Sequence, residues 1–123
     1  MTYQAPIAYS QRATPARSLR AIEYDLFAQI TQRLRTAWTT RKRDFPGLVR
    51  AVADNQRLWS TLAADVATPG NGLPDLLRAR LFYLHEFTTR HSRLVLDDKA
   101  GVDALVEINT AIMRGLRGDG GAI

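Results

Sequence analysis

The sequence contains no cysteine. Disulfides, thiolate metal sites and cysteine nucleophiles are excluded together, and nothing points to an oxidising compartment. No apolar run approaches the ~20 residues that a membrane span needs. Met1 to Tyr9 carry neither an early charge nor a long apolar stretch, so no signal peptide is expected there and the cytoplasm is the expected location. Histidine is scarce as well. His85 and His91 are the only two, and six residues apart they fall on different faces of a helix rather than acting as an i, i+4 ligand pair. His85 and Glu86 are adjacent, and adjacent helical residues do not face each other. No Glu-x-x-His pair occurs, and Gly70-x-Gly72 precedes neither a lysine nor a strand, so neither a carboxylate metal site nor a phosphate loop is encoded. No catalytic residue, metal site or cofactor is expected.

What is present is ordinary globular material. The 123 residues are 46% hydrophobic and 24% charged, enough for one domain that buries about two-thirds of its unfolded surface. Proline and glycine are sparse and leave long windows. Thr14-Pro15 reads as a cap followed by proline at the first helical position. Behind it Leu19, Ile22, Leu26, Ile30, Leu34 and Trp38 recur every three or four residues, the spacing of one helical face. Asp44 is placed to cap a second helix, with Pro46 tolerated in its first turn. Its stripe is Leu48, Val52, Asn55, Trp59, Leu62 and Val66. Thr68-Pro69-Gly70-Asn71-Gly72 is a turn cluster, after which Pro74 opens a third helix with Asp75 in its first turn. Leu77, Leu81, Leu84, Thr88, His91 and Val95 share one face of it, and Phe82 and Phe87 widen the apolar surface. After the Asp97–Gly101 connection, a shorter fourth helix carries Val102, Leu105, Asn109, Ile112 and Leu116. No alternating β-branched run appears. The pattern predicts an all-α antiparallel bundle of about four helices with a long first helix. Residues 1–13 read as an extended arm, 14–117 as the single domain and 118–123 as a disordered tail.

The net charge of +5 lies in the first third, where eight basic residues stand against Glu23 and Asp25 over residues 1–43. Arg41-Lys42-Arg43 is the densest block. It reads as solvated cations at the negative end of a helix dipole or, with Arg33, Arg35 and nearby Trp38, as a nucleic-acid contact. Five phosphate contacts predict a log–log salt slope of roughly −3.5 for single-stranded RNA. No RNA-binding motif accompanies them and stacking aromatics are few, so direct nucleic-acid binding is the less favoured reading.

Asn55 and Asn109 interrupt apolar stripes. A buried amide without partners costs about 1–3 kcal/mol, so each needs defined hydrogen bonds. They either fix helix register or face a groove and bond a partner's backbone. Trp59 poses the same choice between core and interface anchor, and Met113 reads as core filler or as part of an adaptable face.

Three stretches come in order and at a distinctive spacing: Asn55-Gln56-Arg57-Leu58-Trp59, Asn71-Gly72-Leu73-Pro74, and Ile108-Asn109-Thr110-Ala111-Ile112-Met113-Arg114-Gly115-Leu116. Together they resemble the FlaF family, flagellar biosynthesis proteins of alphaproteobacteria, from about Ala8-Tyr9 to Leu116. Tyr9, Pro15 and Arg17 fit the family's opening, whereas Arg20 stands near a place where that family tends to have an acidic residue. The resemblance implies a small, cytoplasmic, non-enzymatic protein needed for flagellin production and flagellum assembly, linked to flagellin translation and to flagellin binding before export, and acting alongside the FlbT-type regulator. Flagellin is then the expected partner, its amphipathic terminal segment lying in an apolar groove. The groove expected from the motifs has edges at Leu58-Trp59 and Leu73-Pro74, amide contacts from Asn55 and Asn109, and a floor of Ile112, Met113 and Leu116. The alternative is a post-transcriptional regulator of flagellin translation acting through RNA or another regulatory protein.

Overall fold

The computed structural model describes residues 16–68, 70 and 72–117, with side chains described from residue 23 to residue 115 of these. The expected arm over 1–13, the Thr14-Pro15 cap, the tail over 118–123 and the side chains of Leu19, Ile22, Asn71 and Leu116 lie outside that description. Four helices follow one another: α1 (Ala16–Thr39), α2 (Phe45–Ala67), α3 (Asp75–Leu96) and α4 (Asp103–Arg117). At 24 residues α1 is the longest and at 15 α4 is the shortest. No strand occurs among the described residues. The all-α bundle is as the sequence predicts.

The helix ends follow local chemistry. Asp44 caps α2, its Oδ1 accepting the Gly47 N–H at 2.9 Å, and Pro46 sits in the first turn, where its missing N–H has no intrahelical partner to lose. The carboxylate packs so closely that a Cβ at position 47 would lie 2.5 Å from its Oδ2 and would push the cap aside. At the far end of α3, Asp98 adopts a left-handed φ of 61°. The Lys99 N–H reaches back to Leu94 O (2.9 Å) and the Asp98 N–H to Val95 O (3.1 Å), closing the helix with the paired bonds of a Schellman motif.

Cross-helix pairs give the directions. Gln56 donates to Thr89 at 2.6 Å, and Ser60 meets His85 at 3.4 Å, so numbers rise on α2 as they fall on α3. Phe27 meets Trp59 edge to face, with ring centroids 6.1 Å apart, while Arg33 approaches Asp54 at 3.8 Å, the same relation between α1 and α2. Both pairs are antiparallel. Helix α1 packs extensively on α2 and α4, and α2 on α3, whereas α3 and α4 touch much less.

The core has two apolar parts. Leu34, Leu48, Ala51, Val52, Val95, Val102 and Leu105 form one, beside the α1–α2 and α3–α4 turns. Phe27, Trp59, Val66, Leu81 and Ile112 form the other. In α1 the buried line differs from the sequence stripe. Phe27, Ile30, Thr31 and Leu34 are buried while Leu26 is 42% exposed. Successive steps of four advance a row by about 40° around a helix of 3.6 residues per turn. The row Leu26-Ile30-Leu34-Trp38 therefore winds off the core at its ends, and only its middle stays inside.

Candidate partner-binding site

Between the two apolar parts every helix contributes one fully buried polar residue: Thr31 from α1, Asn55 from α2, Thr88 from α3 and Asn109 from α4, none more than 1% exposed. Asn109 is the hub. Its Nδ2 donates to Asn55 Oδ1 (2.8 Å) and Thr31 Oγ1 (3.1 Å), and its Oδ1 accepts from Trp59 Nε1 (2.9 Å). Thr31 and Thr88 each turn their own hydroxyl proton back to the preceding turn, to Phe27 O (2.6 Å) and His85 O (2.7 Å). Asn55 Nδ2 is buried and finds no partner among the described residues. The sequence leaves Asn55, Trp59 and Asn109 open between core and interface; in this packing they are core. Ile112 is buried beside them.

The open apolar surface lies beside this belt. A groove of about 520 Å³ runs between α1 and α2. Leu26, Leu58 and Leu62 line it over Phe27, and Thr61, Asp65, Thr68 and Glu23 supply polar lining. Leu58 is half-buried against the Trp59 cluster, as is Met113. Leu73 and Pro74 are exposed in the connection after α2, which Arg78 ties down by donating from Nε to Val66 O at 2.8 Å. Of the residues singled out from the sequence, Asn55, Trp59, Asn109, Ile112, Leu58 and Met113 come together, and Leu73-Pro74 lies at the same end of the bundle. Leu26 and Phe27, which complete the groove, were missed as a site. The signal for them was the 27-30-31-34 spacing, which points Phe27 inward and leaves Leu26 at the rim.

The basic residues singled out from the sequence are spread over the second half of α1 and the α1–α2 turn. Arg33 turns toward Asp54 on α2, and Arg35, two residues on, is about 200° further around the helix. Arg41 folds back, its guanidinium 3.7 Å from the Trp38 ring centroid and its Nη1 donating to Trp38 O at 2.9 Å. That ring face is occupied, and its edge abuts Gly101, where an added Cβ would sit 3.6 Å from Cζ2. Lys42 and Arg43 stand exposed in the turn. His91 is half-buried, stacked on Phe87 at 5.3 Å, with Nε2 2.9 Å from Gly101 O, a structural bond that ties α3 to the start of α4. Among the described residues no group of three His, Cys, Asp or Glu side chains is placed to hold a metal. No helix there is long and apolar enough to cross a membrane.

No curated protein and no solved structure matches the chain. A family model does: the one described as flagellar protein FlaF covers residues 5–116, which includes both asparagines of the belt, Trp59 and the whole α1–α2 groove. With that match running through all four helices, the chain belongs to the FlaF family of flagellar proteins.

Proposed function

We propose that this protein is a non-catalytic, cytoplasmic flagellum-biogenesis factor that binds unassembled flagellin and supports its synthesis, stability and export. The observation that carries the reading is the α1–α2 groove, an apolar trough of Leu26, Leu58 and Leu62 with a polar rim in a member of a flagellar family. An amphipathic helix laid there covers its sticky face with the groove's own, the helix-in-groove mode of recognition. Because the flagellin segment orders as it binds, part of the interaction energy is spent on that ordering, and micromolar affinity with a negative heat-capacity change is expected. The buried belt contributes indirectly: it fixes the register of α1 against α2 and so the width of the trough.

The test is calorimetric titration with monomeric flagellin at two salt concentrations, using the wild-type chain and Leu58→Arg. Salt-insensitive binding lost in Leu58→Arg, with the fold retained by circular dichroism, supports the reading. Absence of binding by the wild-type chain sinks it. The weight then moves to a regulator that acts on flagellin translation through RNA, or through a protein such as the FlbT-type regulator.

A further inference from the structure

Helix α3 is the most lightly held of the four. It packs on α2 and little on α4, whereas α1 packs extensively on both α2 and α4. Four residues of α3 are buried, Leu81, Thr88, Ser92 and Val95, and two of these carry hydroxyls; α2 buries seven. The belt's hydrogen bonds join α1, α2 and α4 through Thr31, Asn55, Trp59 and Asn109. Among the described residues none of them crosses to α3, where Thr88 turns its proton back to His85 O. Much of what ties α3 to α2 lies toward the surface: Gln56 meets Thr89 at 2.6 Å and Ser92 at 3.3 Å, and Ser60 meets His85 at 3.4 Å. Water replaces side-chain bonds of this kind at little net cost.

We infer that α3 is a flap: it opens from the bundle as a unit while α1, α2 and α4 stay packed around the belt. Segments with few buried apolar contacts and solvent-exposed bonds are the ones that open before the whole molecule does. The ends of α3 are built for such a movement. At the C-terminal end the bonds of Asp98 and Lys99 lead into a short turn, and His91 holds Gly101 O at 2.9 Å, so an opened α3 stays tethered to α4. At the other end Pro74 supplies no side-chain cap, and the connection passes through Gly70 and Gly72 at φ of 81° and 90°. A Cβ at either glycine would meet nothing within 4 Å, so neither is packed against the bundle. The clasp there is Arg78, which donates from Nε to Val66 O at 2.8 Å. Opening uncovers the side of the Trp59 cluster that Leu81 covers. It leaves the α1–α2 groove as it is, since α3 does not line it, and the flap is therefore independent of what the groove binds.

The test is native-state hydrogen exchange of the full chain at low urea concentrations. The central amides of α3, from Leu81 to Thr88, are expected to be about a hundredfold less protected than those of α2, with a smaller urea slope. Asn109→Ala separates a flap from a bundle that opens all at once. The belt is present whether α3 is closed or open, so this variant is expected to lower protection in α1, α2 and α4 about thirtyfold and to leave α3 unchanged. If it does not fold, Asp44→Ala, which weakens α2 in both states, gives the same pattern on a smaller scale, about fivefold. Leu81→Ala acts in the opposite sense: its side chain is buried only with α3 closed, so protection falls in all four helices, α3 included. Equal protection and equal urea slope in α3 and α2, an equal loss in both on Asn109→Ala, or α4 opening together with α3 would each overturn the inference.

Discussion

The two apolar parts of the core differ in how they end. The part beside the turns is fully buried at its centre, where Leu34, Leu48, Val95 and Leu105 are nearly inaccessible; Asp44 caps α2 at that end, His91 bonds the α3–α4 turn, and a groove of about 420 Å³ between α1 and α2 reaches Ala37 and Ala51. Ala37, Trp38, Leu96 and Val106 complete its shell. The part around Trp59 is open at its margin, where Leu58, Leu62, Leu77, Leu84, Ile108 and Met113 are half-buried and the α1–α2 groove cuts in. The polar belt divides them. The resemblance-bearing stretches around Asn55–Trp59 and Ile108–Leu116 lie at the belt and in the open part. The half beside the turns is tied at its helix ends, and the half around Trp59 carries the α1–α2 groove proposed above as the recognition surface.

That division makes predictions that rank by size. Trp59→Ala should be the most damaging, costing about 3–5 kcal/mol through the cavity it leaves and the stranding of Asn109 Oδ1; urea unfolding measures it. Asn109→Ala should follow at about 2–3 kcal/mol, because Trp59 Nε1 and Asn55 Oδ1 lose their partner in the interior. Asn55→Leu should cost about 1–2 kcal/mol, since Asn109 Nδ2 loses one acceptor but keeps Thr31 Oγ1 and the variant also removes an Nδ2 with no partner among the described residues; a loss equal to that of Asn109→Ala would show the belt to be no hub-and-spoke arrangement. Beside the turns, Asp44→Ala should cost about 1 kcal/mol as a lost cap, readable as a lower melting temperature with an unchanged denaturant slope. The smallest stability effect should come from Leu58→Ala at the groove, within about 0.5–1 kcal/mol for a half-exposed site, accompanied by a loss of flagellin affinity that Asp44→Ala does not show.

Much of the bundle was legible because helical period and caps are local. The stripes of α2 and α3, the Asp44 cap and the turn after Thr68 depend on residues within a few positions of one another. Asn55 and Asn109 stood out as polar residues in apolar rows, although what they bond was not visible, since Asn109 pairs with residues 54 and 78 positions away. Thr31 gave no signal. A threonine in a helix ordinarily satisfies itself on the preceding turn, as Thr31 does with Phe27 O, and its second role as acceptor for Asn109 exists only once α4 has docked. The α1–α2 groove gives no sequence signal for a related reason. Leu26 and Leu58, both in its lining, come from different helices and meet only through the α1–α2 packing.

The 78-residue span between Thr31 and Asn109 also orders events in time. Chain synthesis delivers α1, α2 and α3 first, and at that stage Trp59 Nε1 and Asn55 Oδ1 have no Asn109 to meet. The nascent three-helix intermediate must either keep these groups in water or bury them unpaired, and the second carries the desolvation cost of each. The closing of the belt is therefore deferred to the last helix made. A ribosome-bound chain halted before residue 109 should stay protease-sensitive around Trp59, and protection there should appear in one step when α4 emerges.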